Sequence, residues 1–360
     1  ALQRLAERHR DEFDIPVVGI TGSNGKTMVK EWLYQIMSPD VCVTRSPRSY
    51  NSQIGVPLSV WLLNEHTQLG IFEAGISQPG EMRALRGIIQ PTIAVLTNLG
   101  AAHQENFESM QAKCKEKIQL FHDAQTVVYD ADDSVIAAEV EASGYPGERL
   151  CWSLTDAHAP MYISRIDKGD AHTLVTYSYQ GGAEQHYQLP FIDDASISNS
   201  IVCATVALHL GVSAADLALR MQQLEPIAMR LEVKEGQHGC TLINDSYNSD
   251  VNSLDIALDF MRRRPDHQGR RRTLILSDIE QSGLTPQSLY GEVAQLCQQR
   301  GVERFIGIGP QLCAAAAEIT IADKSFFESV HACVASPVFH TPRDEVSPLN
   351  GARQSGFARL

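Results

Sequence analysis

The chain has 360 residues, of which 43% are hydrophobic and 20% are charged, and its formal net charge at pH 7 is −13. This length suggests two domains, with three as the alternative, and the acidic balance argues against broad nucleic-acid binding. No apolar run is long enough to span a bilayer. The eight cysteines are scattered without a C-x-x-C pair, which favours a reducing cytoplasm and gives no indication of a zinc site.

An amphipathic helix is predicted over 1–8. A strand predicted over 15–18 then leads into a glycine-rich loop, Gly-Ile-Thr-Gly-Ser-Asn-Gly-Lys-Thr, at 19–27. Apolar residues at helical spacing follow. In this context backbone N–H groups converge on phosphate oxygens, and the positive end of the helix adds to the field. Lys26 can then reach the terminal phosphates of a nucleotide, and Thr27 can offer its hydroxyl to Mg²⁺. The strict pattern would have glycine where Ile20 stands.

Two later strands lead to side chains that suit a metal ion. The apolar strand over 69–73 ends in Glu73. A charge at that point belongs at the carboxyl edge of a parallel sheet, where ligands bind. A strand over 92–98 leads to His103. We therefore expect Glu73 to be a Mg²⁺ ligand, with a helix-capping acid as the alternative, and His103 to be a second metal ligand.

The remaining elements predict the fold class. A helix rich in lysine is expected over 111–121, where the ordinary explanation of such a run is a solvated face. Residues 161–189 alternate like an antiparallel hairpin, and a helix is expected to begin at Asn199. Strands and helices then alternate again. The expected class is α/β: a central P-loop-type parallel sheet with a small antiparallel extension (residues 1–228), followed by a smaller Rossmann-like α/β domain (residues 229–360).

Several of these stretches together resemble the Mur ligases of peptidoglycan synthesis. The resemblance is carried by the loop at 21–27, Asn-Ser-Gln-Ile-Gly-Val-Pro-Leu at 51–58, Glu-Ala-Gly at 73–75, Thr-Asn at 97–98 with His103 and Glu105, Asn199, and Asp-Ser-Tyr-Asn at 245–248. The last stretch is typical of the branch that adds D-alanyl-D-alanine to UDP-N-acetylmuramoyl-tripeptide. The resemblance implies an ATP-dependent amide ligase that acts through an acyl phosphate.

The resemblance also implies a role for each matching residue around the nucleotide. Thr27 and Glu73 would hold one Mg²⁺, and His103 would help to hold a second. A lysine carbamylated by CO₂ would support the second ion, and alignment from His103 places it at Lys117, with Lys115 and Lys113 as alternatives. The residues that would wrap the ATP phosphates are Gly22, Ser23, Asn24, Gly25, Lys26 and Thr27.

Further roles concern the rest of the nucleotide and the other substrates. Asn199 would contact adenine, Arg230 would reach the γ-phosphate from the domain hinge, and Asp245 would lie near the ribose. The residues that would face the substrates are Asn51, Tyr247 and Asn248.

Several positions depart from the family pattern. Gln119 stands where an acid should follow the carbamylated lysine, and Asn350 stands where a lysine should begin a Lys-Gly-Ser-Arg type motif. The family's uridine-nucleotide domain is expected before residue 1. The sequence near the end of the chain resembles that of relatives fused to an alanine racemase. Two alternatives stay open: another ligase of the superfamily, such as a folylpolyglutamate synthetase, and a nucleotide-binding module without turnover.

Overall fold

The computed structural model describes residues 1–100, 104–227, 232–236, 239–245, 250–263, 269–279, 282, 284–340 and 345–351. The chain divides into two compact units, Ala1–Glu225 and Pro226–Leu360. Among the described residues, none of the helices has the length and apolar character needed to cross a membrane. The assignment of the two units to ligase domains stays a prediction.

The first unit is built on a six-stranded sheet in which every neighbouring pair is parallel. Its central strands are buried on both faces, as their apolar sequences predict. The strand order is β2-β3-β1-β4-β5-β6. In chain order the strands are β1 (Val17–Thr21), β2 (Val43–Arg45), β3 (Leu69–Glu73), β4 (Ile93–Leu96), β5 (Thr126–Val128) and β6 (Glu148–Arg149).

Helices cover this sheet and bury its apolar side chains. The helix after the glycine loop is itself deeply buried: Trp32, Leu33 and Ile36 are fully inaccessible, and the Trp32 ring stacks on Phe191 at 5.0 Å. The loop is therefore attached to a fixed element. The helices are α1 (Leu2–Arg10), α2 (Lys26–Met37), α3 (Gly55–Val60), α4 (Glu81–Ile89), α5 (Met110–Lys117), α6 (Ser134–Ala142), α7 (Asp194–His209) and α8 (Ala214–Met221), with 3-10 helices at Gln104–Asn106 and Ile118–Phe121.

The expected antiparallel extension is present and has more strands than a single hairpin. It is a sheet of order β10-β9-β8-β7, in which β8, β9 and β10 are antiparallel and β7 joins β8 in parallel. The alternation in the sequence indicated the long strands but not the short parallel one. The strands are β7 (Trp152–Ser153), β8 (Met161–Lys168), β9 (Thr173–Tyr179) and β10 (Gln185–Leu189).

Two helix boundaries differ from the expectation. The predicted helix over 111–121 is α5 followed by a 3-10 turn, so its last residues leave the α-helical face. The helix expected to begin at Asn199 begins at Asp194, because the carboxylate of Asp193 accepts the backbone N–H of Ser196 and caps it. Asn199 therefore lies inside α7.

The second unit is also an α/β sheet, as expected. Its order is β11-β12-β16-β13-β14-β15, and all pairs are parallel except that β11 is antiparallel to β12. The strands are β11 (Glu232–Glu235), β12 (Thr241–Asp245), β13 (Arg271–Ser277), β14 (Arg304–Ile308), β15 (Asp323–Phe327) and β16 (Glu345–Asn350). The helices are α9 (Val251–Arg263), α10 (Pro286–Arg300), α11 (Pro310–Ala314), α12 (Val330–Val334) and α13 (Pro337–His340).

Candidate active site

The glycine loop between β1 and α2 has a conformation that larger residues would not tolerate. Gly25 has φ of +83°, in the left-handed region, and Gly22 has φ of +145°. A Cβ on Gly22 would lie 1.9 Å from Thr97 Oγ1, and one on Gly25 would lie 2.4 Å from Asn199 Oδ1. Glycine is thus required here both by the backbone angle and by the close approach of neighbouring side chains.

The end of β4 holds the loop in shape. The backbone N–H of Ser23 donates to the Asn98 carbonyl at 3.0 Å, and that of Asn24 donates to Asn98 Oδ1 at 2.9 Å. The Thr97 hydroxyl donates to the Asn24 carbonyl at 2.5 Å. Since these bonds come from the chain itself, the loop is organised by the neighbouring strand.

Three lysines converge on the loop and on the segment after β4. Lys26 Nζ donates to the Gly22 carbonyl at 2.7 Å, and Lys117 Nζ donates to the same oxygen at 3.1 Å. Lys113 Nζ donates to the Gly100 carbonyl at 2.5 Å. A chain with a net charge of −13 therefore concentrates positive charge at this loop.

The lysine-rich helix α5 has one buried face and is not uniformly solvated. Lys113 and Lys117, one turn apart, are 1% and 3% exposed. The Lys115 side chain is 65% exposed, and its Nζ lies 3.8 Å from Glu139 in α6. Of the three lysines proposed for carbamylation, Lys115 is therefore the one directed away from the loop.

The environment of Lys117 disfavours its charged form. Burial, and then the positive charges of Lys26 and Lys113, hold the pKa of Lys117 well below its ordinary value. A buried amine of this kind is more readily present as the neutral, nucleophilic base than an exposed lysine is.

Thr27 and Glu73 meet at the carboxyl ends of β1 and β3, as their positions in the sequence predict. Glu73 is fully buried, and its Oε2 accepts from Thr27 Oγ1 at 3.2 Å and from Asn51 Nδ2 at 3.3 Å. The Thr27 hydroxyl also lies 2.8 Å from Ser49 Oγ. A hydroxyl and a carboxylate are hard oxygen donors of the kind that Mg²⁺ prefers.

Two asparagines border the loop. Asn199 lies over Gly25, and its Nδ2 is 3.3 Å from Met28 Sδ. Asn24 is 7% exposed, and neither polar atom of its amide has a hydrogen-bond partner among the described residues. Because buried amides are normally paired, an unpaired one at a glycine loop is suited to a polar ligand.

The sequence did not indicate two contributors to this site, Lys30 and Ser49. Ser49 follows β2 and meets Thr27, a contact that depends on the pairing of β2 with β3. Lys30 had a usable signal, because it is a charge among apolar residues on the buried face of α2. Both bring further polar atoms to the pair of Thr27 and Glu73.

Several predicted site residues lie outside the described part of the chain: His103, Arg230, Tyr247 and Asn248. Asp245 ends β12, and its side chain is likewise not described. In the described part, no three side chains of histidine, cysteine, aspartate or glutamate come together as a metal cluster. The roles of these five residues stay predictions.

Comparison with known families gives a match over residues 20–207 to the model described as the Mur ligase middle domain. The chain is 24% identical over 312 residues to the UDP-N-acetylmuramoyl-tripeptide–D-alanyl-D-alanine ligase of Bacillus subtilis (strain 168), covering 86% of this chain and 66% of that protein. It is 28% identical over 330 residues to the ligase of the same name from Treponema pallidum (strain Nichols), covering 91% and 69%. The chain thus spans about two thirds of the length of these curated relatives.

Solved structures share the fold. MurF from Acinetobacter baumannii superimposes with a TM-score of 0.84 at 21% identity, covering 99% of this chain and 78% of that one. MurF ligase from Thermotoga maritima, solved in complex with ADP, gives a TM-score of 0.82 at 21% identity, covering 99% and 81%. At this level of identity the likeness concerns the fold.

Proposed function

Because the chain belongs to the Mur ligase family, whose middle-domain model matches residues 20–207, we propose that it is the ATP-binding part of an amide ligase. The proposed reaction joins D-alanyl-D-alanine to UDP-N-acetylmuramoyl-tripeptide, the substrates in the names of the relatives from Bacillus subtilis and Treponema pallidum. The substrate carboxylate takes the γ-phosphoryl group of ATP to give an acyl phosphate and ADP. The amine of the dipeptide then attacks the carbonyl carbon, and phosphate leaves.

The glycine loop supports ATP as the nucleotide substrate. Its backbone is hydrogen-bonded to Thr97 and Asn98 at the end of β4, and the close approach of Asn199 leaves no room for a Cβ on Gly25. Lys26 begins the helix at the loop, where its charge and the helix N-terminus both favour phosphate oxygens. The unpaired amide of Asn24 fits a polar ligand at the same place. The role proposed for this loop is to bind and orient the triphosphate.

The pair of Thr27 and Glu73 supports Mg²⁺ at the same edge of the sheet. Their oxygens lie 3.2 Å apart, both side chains are buried, and their chemistry is that of hard-cation ligands. When bound, Mg²⁺ would supply positive charge that offsets the phosphate oxygens. His103 is the proposed ligand of a second ion.

The difficulty in the first step is that two anions must approach one another. Lys26 and, by the family pattern, Arg230 are proposed to offset the charge of the γ-phosphoryl group as the carboxylate attacks. Lys26 is suited to this because it is the first residue of α2 and its side chain lies beside the loop. The chain's contribution is thus orientation and fixed positive charge.

We further propose that Lys117 carries a carbamate. Its ammonium would first lose one proton to give the neutral amine. The amine nitrogen would then attack the carbon of CO₂, so that an N–C bond forms, one C–O π bond breaks and a second proton leaves the nitrogen. The two steps together turn a cation into an anion. Its burial, its lowered pKa and its position on the Gly22 carbonyl support this choice, whereas Lys115 is exposed and directed to Glu139. The carbamate oxygens and the His103 side chain are the proposed ligands of the second Mg²⁺.

The remaining roles follow the family pattern. Asn199 is proposed to contact adenine, which its position over Gly25 supports. Asp245 is proposed to lie near the ribose, and Asn51, Tyr247 and Asn248 to face the substrates. A uridine-nucleotide domain and an alanine racemase domain are proposed as further parts of the full protein.

The observation that carries the proposal is that three lysines and the pair of Thr27 and Glu73 come together at the glycine loop and the adjacent segment after β4. The test is ADP release by the intact protein with ATP, Mg²⁺, UDP-N-acetylmuramoyl-tripeptide and D-alanyl-D-alanine. We expect ADP only when both other substrates are present, and we expect Lys26→Ala to abolish it. ATP binding without ADP formation would instead indicate a regulatory nucleotide-binding module. Turnover with a folate and glutamate would indicate another ligase of the superfamily.

A further inference from the structure

Lys30 is a lysine with no exposed surface, and it lies one turn after Lys26 on α2. Its Nζ is 3.1 Å from Glu73 Oε1 and 3.0 Å from Glu31 Oε1. A buried ammonium is costly unless it is paired, so these contacts explain how the charge is accommodated. Glu31 is shared with Arg45, whose Nε lies 2.9 Å from Glu31 Oε2.

The same ammonium also binds the segment after β2. Nζ donates to the Ser46 carbonyl at 2.8 Å and to the Arg48 carbonyl. The Ser46 hydroxyl in turn accepts the backbone N–H of Glu73 at 3.2 Å. Lys30 therefore fastens this segment to Glu73, and the segment leads directly to Ser49 and to Asn51.

The contacts of Glu73 are divided between its two oxygens. Oε1 faces Lys30, whereas Oε2 faces Thr27 and Asn51. A carboxylate held at one oxygen by a fixed cation has a set direction for the other. In this arrangement the direction of Oε2 is toward the hydroxyl of Thr27 beside the glycine loop.

We propose that Lys30 is a positioning residue: it fixes the side chain of Glu73 and the segment over 46–51, so that Glu73 Oε2 and Thr27 Oγ1 are presented together to the Mg²⁺ of the nucleotide. This inference rests on the proposed function. Lys30 acts through Glu73 and does not itself contact phosphate. It supplies the support that metal ligands require from the residues behind them.

The test uses the intact protein with Lys30→Met, which removes the charge at similar volume, and Lys30→Gln, which keeps a donor for the Ser46 carbonyl. Lys168→Met is the matched control, because Lys168 also pairs with a carboxylate, that of Asp194, outside the site. The probe is Mn²⁺, whose binding is followed by electron paramagnetic resonance in the presence of a non-hydrolysable ATP analogue. Analogue binding without metal is measured in parallel.

We expect both Lys30 variants to lose about tenfold or more in Mn²⁺ affinity, while metal-free analogue affinity changes less than about threefold. In turnover the KM for Mg²⁺ should rise, and kcat should recover at saturating Mg²⁺. Lys30→Arg should restore most of the affinity, and Lys168→Met should match the parent protein. Unchanged Mn²⁺ affinity in both variants would overturn the inference, and so would failure of both to fold. If the parent protein itself does not bind the Mn²⁺–nucleotide complex, it is the proposed function that fails.

Discussion

The ammonium groups of Lys26 and Lys117 meet at one carbonyl oxygen, that of Gly22, at distances of 2.7 Å and 3.1 Å. Lys26 comes from the helix after the loop and Lys117 from the end of α5. Two cations this close repel each other, and burial at Lys117 leaves little water to screen them. The repulsion is relieved when Lys117 is neutral, and it becomes attraction when Lys117 carries a carbamate.

The first prediction concerns the pH dependence of stability. The pKa of Lys117 is lower in the folded chain than the ordinary lysine value of 10.5, so the unfolded chain binds more protons between the two values. Stability of the parent protein therefore rises with pH across this window. Lys117→Met removes the cost of the buried charge, so it should be more stable than the parent at low pH, and the gain should vanish as pH approaches 10.5.

The free energy of unfolding of the first unit is measured by urea denaturation in CO₂-depleted buffer at several pH values, for the parent and for Lys117→Met. Lys168→Met, an ion-paired lysine in β8, is the control for loss of a lysine charge as such. A stability difference between Lys117→Met and the parent that stays constant with pH would contradict the assignment of a lowered pKa.

The second prediction separates the lysines of α5 by activity. Lys117→Ala should lower ligase turnover on the order of 10²-fold, because the anion proposed there is lost, and a short carboxylic acid should restore part of it. Lys115→Ala should retain turnover, since Lys115 is exposed and faces Glu139. ADP release is the measurement. Full activity of Lys117→Ala, or an equal loss in Lys115→Ala, would remove Lys117 from the mechanism.

The third prediction compares two glycines with the same backbone angle. Gly25 and Gly80 have φ of +83° and +87°, and each precedes a helix. A Cβ on Gly25 would lie 2.4 Å from Asn199 Oδ1, whereas one on Gly80 has open space around it. Gly80→Ala should lose about 1 kcal/mol of stability from left-handed strain, and Gly25→Ala should lose at least as much, because its Cβ also displaces Asn199. Only Gly25→Ala should also weaken ATP binding, by about tenfold or more, since 1.4 kcal/mol of misfit suffices for that.

Equilibrium ATP titration and urea unfolding measure the two effects separately. If Gly80→Ala weakened ATP binding as much as Gly25→Ala, the loss would follow from general strain and not from the shape of the loop.

Local sequence patterns predict some features of the candidate site, whereas other features depend on tertiary packing. The loop and the end of the strand at Glu73 were predicted because each is a short sequence signal, and the sheet brings them together as parallel topology requires. The contacts of Asn98 with the loop depend on which strand lies beside β1, and that pairing is a tertiary result. The helical spacing of α2 puts Lys30 on the apolar face, but its partners Glu73 and the segment after β2 depend on the same tertiary pairing.

The same limit explains the helix boundaries. The start of α7 depends on Asp193, whose side chain accepts the backbone N–H of Ser196 and caps the helix. Because Asp and Ser are frequent on both sides of a helix start, the sequence alone does not show which of them is the cap. The sequence has no proline or glycine where α5 ends at Lys117. The sequence pattern therefore predicts a helix that continues to 121, whereas the structure has a 3-10 helix after Lys117.

The fourth prediction isolates the hydroxyl of Thr27. Thr27→Val keeps the shape and removes the oxygen that faces Glu73 Oε2 and Ser49 Oγ. Mg²⁺-dependent turnover should fall by about 10–100-fold, while metal-free ATP binding is kept. Thr205→Val is the control, because Thr205 is also a buried helical threonine, with its hydroxyl on the Ile201 carbonyl inside α7. Equal effects of the two variants on Mg²⁺ dependence would contradict the proposed metal role.

The fifth prediction concerns a carboxyl group away from the site. Asp130 follows β5 and is half-buried, and burial, together with the charges of Asp132 and Asp133, raises its pKa to about 6, although the backbone N–H of Asp132 opposes the rise. A raised folded pKa means that the stability contributed by the protonated form is present below the unfolded value of 3.8 and is lost as pH rises through about 6.

Asp130→Asn should therefore stabilise the protein at pH 8, because the amide avoids the buried charge and can still accept from Asp132. The shift in pKa would correspond to about 3 kcal/mol for a fully buried group, and partial exposure of Asp130 reduces the expected gain to about 1–2 kcal/mol. The gain should disappear near pH 4, where Asp130 is protonated. Urea unfolding at the two pH values measures it, with Asp170→Asn, at an exposed position, as the control. A gain of the same size at both pH values would mean that the benefit of asparagine comes from packing or turn geometry and not from the titration of Asp130.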